Sequence, residues 1–230
     1  MTADIGSAGY ASSNDSVLSP QSSELILASG SPRRRELLAA LGVPFSVVVT
    51  HVDETIGANE EPAAAAGRLA QCKVEAVAGR EPGAIVVGAD TIVVLDGRVL
   101  GKPLDAAEAE AMLRALRGRA HEVISGFAMQ DGRHGVVHVS APETTVWMRD
   151  YTDAEIAASI AVGTPFDKAG AYAIQDAEFA PVERIEGCYC NVMGLPLWSV
   201  FGVLETTPNA PRPARPDDAR AVCAVCPLAR

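Results

Sequence analysis

A chain of 230 residues, 48% apolar and 21% charged, is long enough for one large domain or two lobes around a sizeable core. Its net charge of −10 argues against a broad nucleic-acid or acidic-membrane surface, so basic residues that carry function must act locally, on a small anion. No apolar run approaches the roughly 20 residues of a membrane span, and the N-terminus lacks a basic and apolar secretory signal, which makes the cytoplasm the expected compartment.

Residues 1–23 are rich in Ser, Ala, Gly and Asp without periodicity, and a disordered extension is expected there. Leu25 to Ala28 then reads as a short buried strand, and Ser29-Gly30 as a small-residue turn. Ser31 is placed as an N-cap, with Pro32 at the first helical position. Leu37, Leu38 and Leu41 give the helix one apolar face, and Gly42 stops it. Arg33, Arg34 and Arg35 sit in the first turn, where the helix dipole disfavours cations by about 0.3–1 kcal/mol each. Free N–H groups, Ser hydroxyls and guanidinium forks together suit a phosphate. A solvated basic turn is the competing reading.

Phe45 to Val49 reads as a strand, followed by the acids Asp53 and Glu54. Glu60-Glu61-Pro62 opens a helix that runs to Ala78 and closes at Gly79. On it Lys73 shares the apolar face with Leu69 and Ala76, and either snorkels or points into a cleft. Ala84 to Val87 is a buried strand ending in Gly88-Ala89-Asp90-Thr91. A second strand, Ile92 to Leu95, turns through Asp96-Gly97 into Val99-Leu100. An aspartate between two apolar strands is costly unless paired or bound, so Asp90 is a candidate functional carboxylate, with a structural turn acceptor as the alternative. Lys102 follows, braced by Pro103.

Asp105 with Glu108, and Thr152 with Glu155, read as capping boxes opening two helices. Strands are expected over His121–Met129, Val136–Val139, Thr144–Met148 and Val182–Ile185. His121, His134 and His138 lack metal-ligand spacing and read as surface or strand-edge residues. Residues 165–175 and 187–196 read as two functional loops, the second leading into a helix from Leu197 to Leu204. Residues 206–230 are expected to form a Pro-rich disordered tail, leaving residues 24–205 as the folded domain. The five cysteines point to reduced thiols. Cys188 and Cys190 read as packing residues. Cys223-x-x-Cys226 suits zinc or a disulfide, but alone it is two ligands short of a closed zinc site.

Arg33, Arg34, Lys73, Lys102 and Lys168 are cations placed beside glycines, prolines or apolar faces, and Asp53, Glu54, Asp90 and Asp167 are the acids among them. Such cations bind phosphate oxygens, while the carboxylates hold a divalent metal or take a proton from an attacking water. That is an inventory for cutting a phosphoanhydride. There is no Walker A loop, no G-x-G-x-x-G and no G-x-S-x-G elbow.

The stretches L-A-S-G-S-P-R-R-R-E-L-L, G-A-D-T-I-V-V, L-G-K-P, D-K-A-G-A-Y-A-I-Q and N-V-M-G-L-P, in this order from Leu25 to Glu205, resemble the Maf family of nucleoside triphosphate pyrophosphatases. The resemblance implies an α/β fold like that of inosine triphosphate pyrophosphatases: an elongated mixed sheet flanked by helices, in two lobes with a central cleft. It implies hydrolysis of the α–β bond of a nucleoside triphosphate, a divalent cation (Mg²⁺ or Mn²⁺) as cofactor, and a homodimer. It puts the general base on Asp90 and phosphate binding on Ser29, Arg33, Arg34, Lys73, Lys102 and Lys168. Metal binding falls on Glu54 and Asp90. Arg33, Thr91 and Gln175 match the pattern of the members that prefer dTTP and UTP. Members that prefer 7-methyl-GTP, and a non-catalytic nucleotide-binding role in septum formation, are the alternatives. Ala173 departs from the Gly common in the family at that position, and Cys188-Tyr189-Cys190 replaces residues that vary there.

Overall fold

The computed structural model describes residues 23–135 and 137–229. The expected N-terminal extension lies outside them, apart from Ser23. The described strands form one mixed sheet in the order β2 (Ser46–Val47), β1 (Leu25–Leu27), β3 (Ile85–Leu95), β5 (Ala120–Asp131), β7 (Glu143–Met148), β8 (Val182–Glu186). β4 (Arg98–Leu100) pairs with β3, and β6 (Val137–Ser140) with β5. β1 runs parallel to β2 and β3, and every other pairing is antiparallel.

Two long strands make this sheet elongated. β3 and β5 pair with each other from Ile85↔Asp131 to Val94↔Glu122. The other edge of β3 is shared: β1 takes Ile85 to Val87, and β4 takes Val93 to Leu95. Between them, residues 88–92 face no strand on that side among the described residues. The far edge of β5 is divided in the same way between β6 and β7. Each half of the long pair thus carries its own neighbours and its own helices, which yields two lobes. Where two strands were expected, around Gly88–Thr91, there is one continuous strand, because β5 holds its entire length on one side.

In the first lobe α1 (Pro32–Ala39), α5 (Tyr189–Met193) and α6 (Leu197–Thr206) cover one face through Leu37, Leu38, Met193, Leu197 and Trp198. α3 (Ala106–Leu116) and α4 (Asp153–Ala161) cover the second lobe through Met112, Leu113, Leu116 and Ile156. Burial of each such side chain stabilises by roughly 1.5–3 kcal/mol. α2 (Pro62–Ala78), capped by the Glu61 carboxylate on the Ala64 N–H, lies across both long strands. It approaches closely because the sheet offers glycine beneath it. A Cβ at Gly126 would stand 2.0 Å from the Ala66 carbonyl oxygen, and one at Gly88 would stand 2.8 Å from that of Ala70.

Three expectations change. Residues 187–196 are not all loop: Tyr189–Met193 form α5, which ends at Gly194 with φ 112°. His121 is buried, and its Nε2 lies 2.7 Å from the Tyr172 hydroxyl. The tail expected to be disordered packs on the first lobe. It carries α7 (Pro216–Ala219) and a 3₁₀ turn (Ala221–Cys223), the Ala214 amide bonds to the Leu41 carbonyl at 2.8 Å, and Cys223 and Cys226 join the core. Its composition reads as disordered because so few residues make the attachment.

The His121–Tyr172 pair fixes a protonation state. Burial raises the Tyr172 hydroxyl, so it stays neutral. If that hydroxyl donates to Nε2, only the Nδ1–H is left without a partner; the reverse arrangement orphans both the Tyr hydrogen and the Nδ1 lone pair. His121 is therefore neutral and protonated on Nδ1, with burial lowering its pKa from 6.5 to about 4. A group depressed in the folded state contributes stability that is complete above the unfolded value and lost as pH falls towards the folded one. Unfolding free energy should drop between pH 6.5 and about 4 by up to roughly 3 kcal/mol from this residue. Urea unfolding across that window should show the slope, and His121→Phe should flatten it.

Candidate active site

The stretch of β3 left open between β1 and β4 forms the floor of a cleft of about 490 Å³. The loop after β1, α2, the end of β4, the segment 167–175 and the end of α5 enclose it. Ser29, Arg33, Arg34, Glu54, Lys73, Asp90, Thr91, Lys102, Lys168 and Gln175 all line it, from segments far apart in the chain. Asp53 does not. Its carboxylate turns back to the amide and hydroxyl of Thr55, at 2.9 and 2.6 Å.

Asp90 and Lys73 form the floor. Asp90 is 9% exposed and Lys73 6%. Lys73 Nζ lies 2.5 Å from Asp90 Oδ1 and 2.7 Å from Glu54 Oε1. Lys73 reaches this place because Gly88 lets α2 descend on the strand. The snorkelling alternative fails, since the ammonium ends on two carboxylates rather than in water. Burial raises the Glu54 carboxyl, but the hydrogen bond and charge of Lys73, with the charges of Lys102 and Arg34, outweigh it and hold Glu54 below its usual range. It is ionised at neutral pH.

Arg34 is pinned at all three nitrogens. Nε donates to the Gly194 carbonyl at 2.9 Å, Nη1 to Ser29 Oγ at 3.3 Å, and Nη2 to Thr91 Oγ1 at 3.1 Å. Burial lowers its pKa and the Asp90 charge opposes that. Behind it runs a directed chain of hydroxyls. Ser125 Oγ donates to the Asn191 carbonyl at 2.7 Å, so its own hydrogen is spent. The 2.9 Å contact between Thr91 and Ser125 must then be Thr91 donating. The order is Arg34 to Thr91 to Ser125 to Asn191. Thr91 keeps no hydrogen for a ligand, and its hydroxyl orients Arg34.

Arg33 faces the other way. Its Nη1 lies 2.8 Å from Asp167 Oδ2, and Lys168 Nζ lies 2.5 Å from Asp167 Oδ1. Burial raises the Asp167 carboxyl, and the hydrogen bonds and charges of Lys168 and Arg33 bring it below its usual range. One carboxylate thus sits between two cations from opposite lobes, where a phosphate would fit. Lys102 and Gln175 stand exposed at the rim, with side chains free to meet a ligand. Ser31 holds the N-cap position without a side-chain bond; its amide instead donates to Ser29 Oγ at 3.2 Å.

Sequence reasoning missed Ser125, and it gave Asn191 and Gly194 no role although both stand in the N-V-M-G-L-P stretch. Ser125 carries no motif, and only the pairing of β5 with β3 brings it opposite Thr91.

Glu54 and Asp90 are the hard oxygen donors that could hold a divalent cation. Among the described residues no three such groups converge into a complete shell. Two carboxylates fit a Mg²⁺-type ion that takes its remaining oxygens from substrate phosphates and water.

A family model described as Maf-like protein matches residues 24–207. A dTTP/UTP pyrophosphatase of Thermomicrobium roseum is 50% identical over 211 residues, covering 89% of this chain and 94% of its own. A dTTP/UTP pyrophosphatase of Geotalea uraniireducens is 50% identical over 182 residues, covering 79% and 94%. One of Symbiobacterium thermophilum is 51% identical over 174 residues, covering 76% and 89%. A solved dITP/XTP pyrophosphatase of Mycobacterium abscessus is 18% identical, covering 56% of this chain and 75% of its own, at a TM-score of 0.36, a likeness too slight to build on.

Proposed function

The chain belongs to the Maf-like protein family, and from that membership and the cleft we propose a nucleoside triphosphate pyrophosphatase that hydrolyses the α–β bond of dTTP and UTP. The products are the nucleoside monophosphate and pyrophosphate. The observation that carries this reading is the open stretch of β3, where Asp90 faces cations delivered by α1, α2, β4 and the 167–175 segment.

Asp90 accepts the proton of the water that attacks the α-phosphorus. Lys73, 2.5 Å from Asp90 Oδ1, keeps that carboxylate aimed. Arg34, held rigid by Ser29, Thr91 and Gly194, meets the charge that grows on the phosphate oxygens. Arg33, Lys102 and Lys168 receive the pyrophosphate oxygens, and Asp167 yields its two cations to them. A divalent cation held by Glu54 and Asp90 would supply further charge neutralisation at the phosphates. The enzyme in this reading is a homodimer of the cytoplasm; light scattering of the purified chain tests the dimer.

The Gln175 amide offers one acceptor and one donor, matching N3–H and O4 of thymine and uracil. Gln175→Ala should raise KM for dTTP and UTP about tenfold with kcat held, the loss of one to two hydrogen bonds made equally in ground and transition states. Pyrophosphate release from dTTP, UTP, CTP, 7-methyl-GTP and ITP, with Mg²⁺ or Mn²⁺, tests the whole reading. Fast turnover of dTTP and UTP is expected. Preference for 7-methyl-GTP would keep the reaction and overturn the pyrimidine assignment. Binding without turnover of any member would point to a nucleotide-binding regulator instead.

A further inference from the structure

Four of the five cysteines gather at one place, away from the cleft. Cys188 and Cys190 stand at the start of α5, and Cys223 and Cys226 arrive on the C-terminal tail. All are buried, with Cys190 and Cys223 each 1% exposed. The sulfurs of Cys190 and Cys223 are 3.4 Å apart. The Cys188 thiol is close enough to those of both Cys190 and Cys226 to interact with them. Only Cys72, on α2, lies elsewhere. By itself the C-x-x-C of the tail was two ligands short of a closed site, and the fold brings the C-x-C of α5 to meet it.

We propose that Cys188, Cys190, Cys223 and Cys226 form a structural zinc site that clamps the C-terminal tail to the first lobe.

A metal takes these side chains as thiolates, so their protons are released as it binds. Arg220 is close enough to Cys190 for their charges to interact, and it offsets part of the net negative charge of four thiolates on Zn²⁺. An all-sulfur, buried set of this kind selects a soft tetrahedral ion over Mg²⁺ or Ca²⁺.

The Cys190 and Cys223 sulfurs pack as a pair, and among the described residues no three His, Cys, Asp or Glu groups form a ready-made metal shell. Metal binding would draw the four sulfurs to about 2.3 Å from the ion. The thiol protons leave to solvent, and no redox change occurs. The clamp has a purpose in the fold. Beyond α6 the tail is held by scattered contacts: Trp198 Nε1 on the Cys223 carbonyl at 3.0 Å, Arg220 on Glu36 at 3.0 Å, and Arg215 over the Trp198 ring at 5.0 Å. A metal joining both hooks would convert these into one cooperative attachment.

The test uses the full chain, purified without chelator and analysed for metal by mass spectrometry. Reduced, metal-free protein is then titrated with Co²⁺, and thiol alkylation is counted with and without Zn²⁺. Expected are one zinc per chain, a thiolate-to-cobalt charge-transfer band that saturates at one equivalent, and shielding by zinc of all cysteines except Cys72. Cys72→Ser should keep the metal, and Cys223→Ser with Cys226→Ser should lose it. Absence of the charge-transfer band in reduced wild-type protein, or equal alkylation with and without Zn²⁺, would overturn the site. A Cys190–Cys223 disulfide in the intact mass, with no metal uptake after reduction, would also overturn it and assign the cluster to redox chemistry.

Discussion

Asp90→Asn is expected to lower turnover of dTTP and UTP by about 10²- to 10⁴-fold, the range a positioned general base contributes. The amide is the same size and still accepts a hydrogen bond from Lys73, so the cleft should keep its shape. What it loses is the ability to take a proton. Nucleotide affinity measured without added divalent cation should change little, because the arginines and lysines that face the phosphates are untouched. Lys73 loses one counter-charge, and stranding a buried lysine costs about 3–5 kcal/mol. Glu54, 2.7 Å from the same ammonium, keeps the actual cost below that. Single-turnover kinetics with a parallel binding titration separates the two effects. Turnover within about tenfold of wild type would remove Asp90 from the role of base.

Gly126→Ala should be the most damaging small substitution in the fold. The added methyl would meet the Ala66 carbonyl oxygen at 2.0 Å and the Gly67 nitrogen at 2.7 Å. Both are backbone atoms of α2, so no side chain can swing aside. Overpacking of this kind typically costs about 1–3 kcal/mol, and a clash with rigid backbone belongs at or above the upper end. Activity should fall as well, since α2 carries Lys73. Moving that helix off the sheet draws the ammonium away from Asp90. Gly202, helical and with nothing within 4 Å of its would-be Cβ, is the control: Gly202→Ala should be neutral or stabilising by up to about 1 kcal/mol. Urea unfolding of both variants compares them directly. A Gly126→Ala protein as stable as wild type would mean that α2 does not rest on the sheet at this distance.

Local chemistry made much of this molecule legible. Pro62 and Gly79 bracket α2 where the structure has it, and Asp96-Gly97, both at positive φ, make the hairpin turn that their types predict. The Thr152–Glu155 capping box forms in full. In the Asp105 box the Glu108 carboxylate instead reaches the Leu104 amide, one residue early. The features that escaped depend on partners distant in sequence. Nothing near His121 announces that Tyr172 will lie over it. Ser125 and Asn191 gain their place behind Arg34 only when β5 pairs with β3 and α5 docks. α5 is too short for a periodic pattern, and its Gly194 stop lies inside a stretch whose small residues suggest a loop. The tail fails the usual compositional test because its attachment rests on a tryptophan, two arginines and two cysteines. Among the cleft residues, motif order placed the cations and Asp90 on one side of the problem, but the geometry alone separates Thr91, whose hydroxyl is committed to Arg34, from Gln175, whose amide remains available.

The lobes share no flexible linker at the cleft floor; they share β3 and β5, two strands that run without a break through both. A paired ribbon of this kind resists bending but yields to torsion, as the natural twist of strands shows. The cleft should therefore open and close by winding, like a torsion bar, rather than by hinging. Asp90 lies on the ribbon itself, so such a winding would move it little. Arg33 and Lys168, carried by segments outside the ribbon and joined through Asp167, would move further. One motion can then loosen the grip on a departing pyrophosphate while the proton-accepting carboxylate keeps its place for the next substrate.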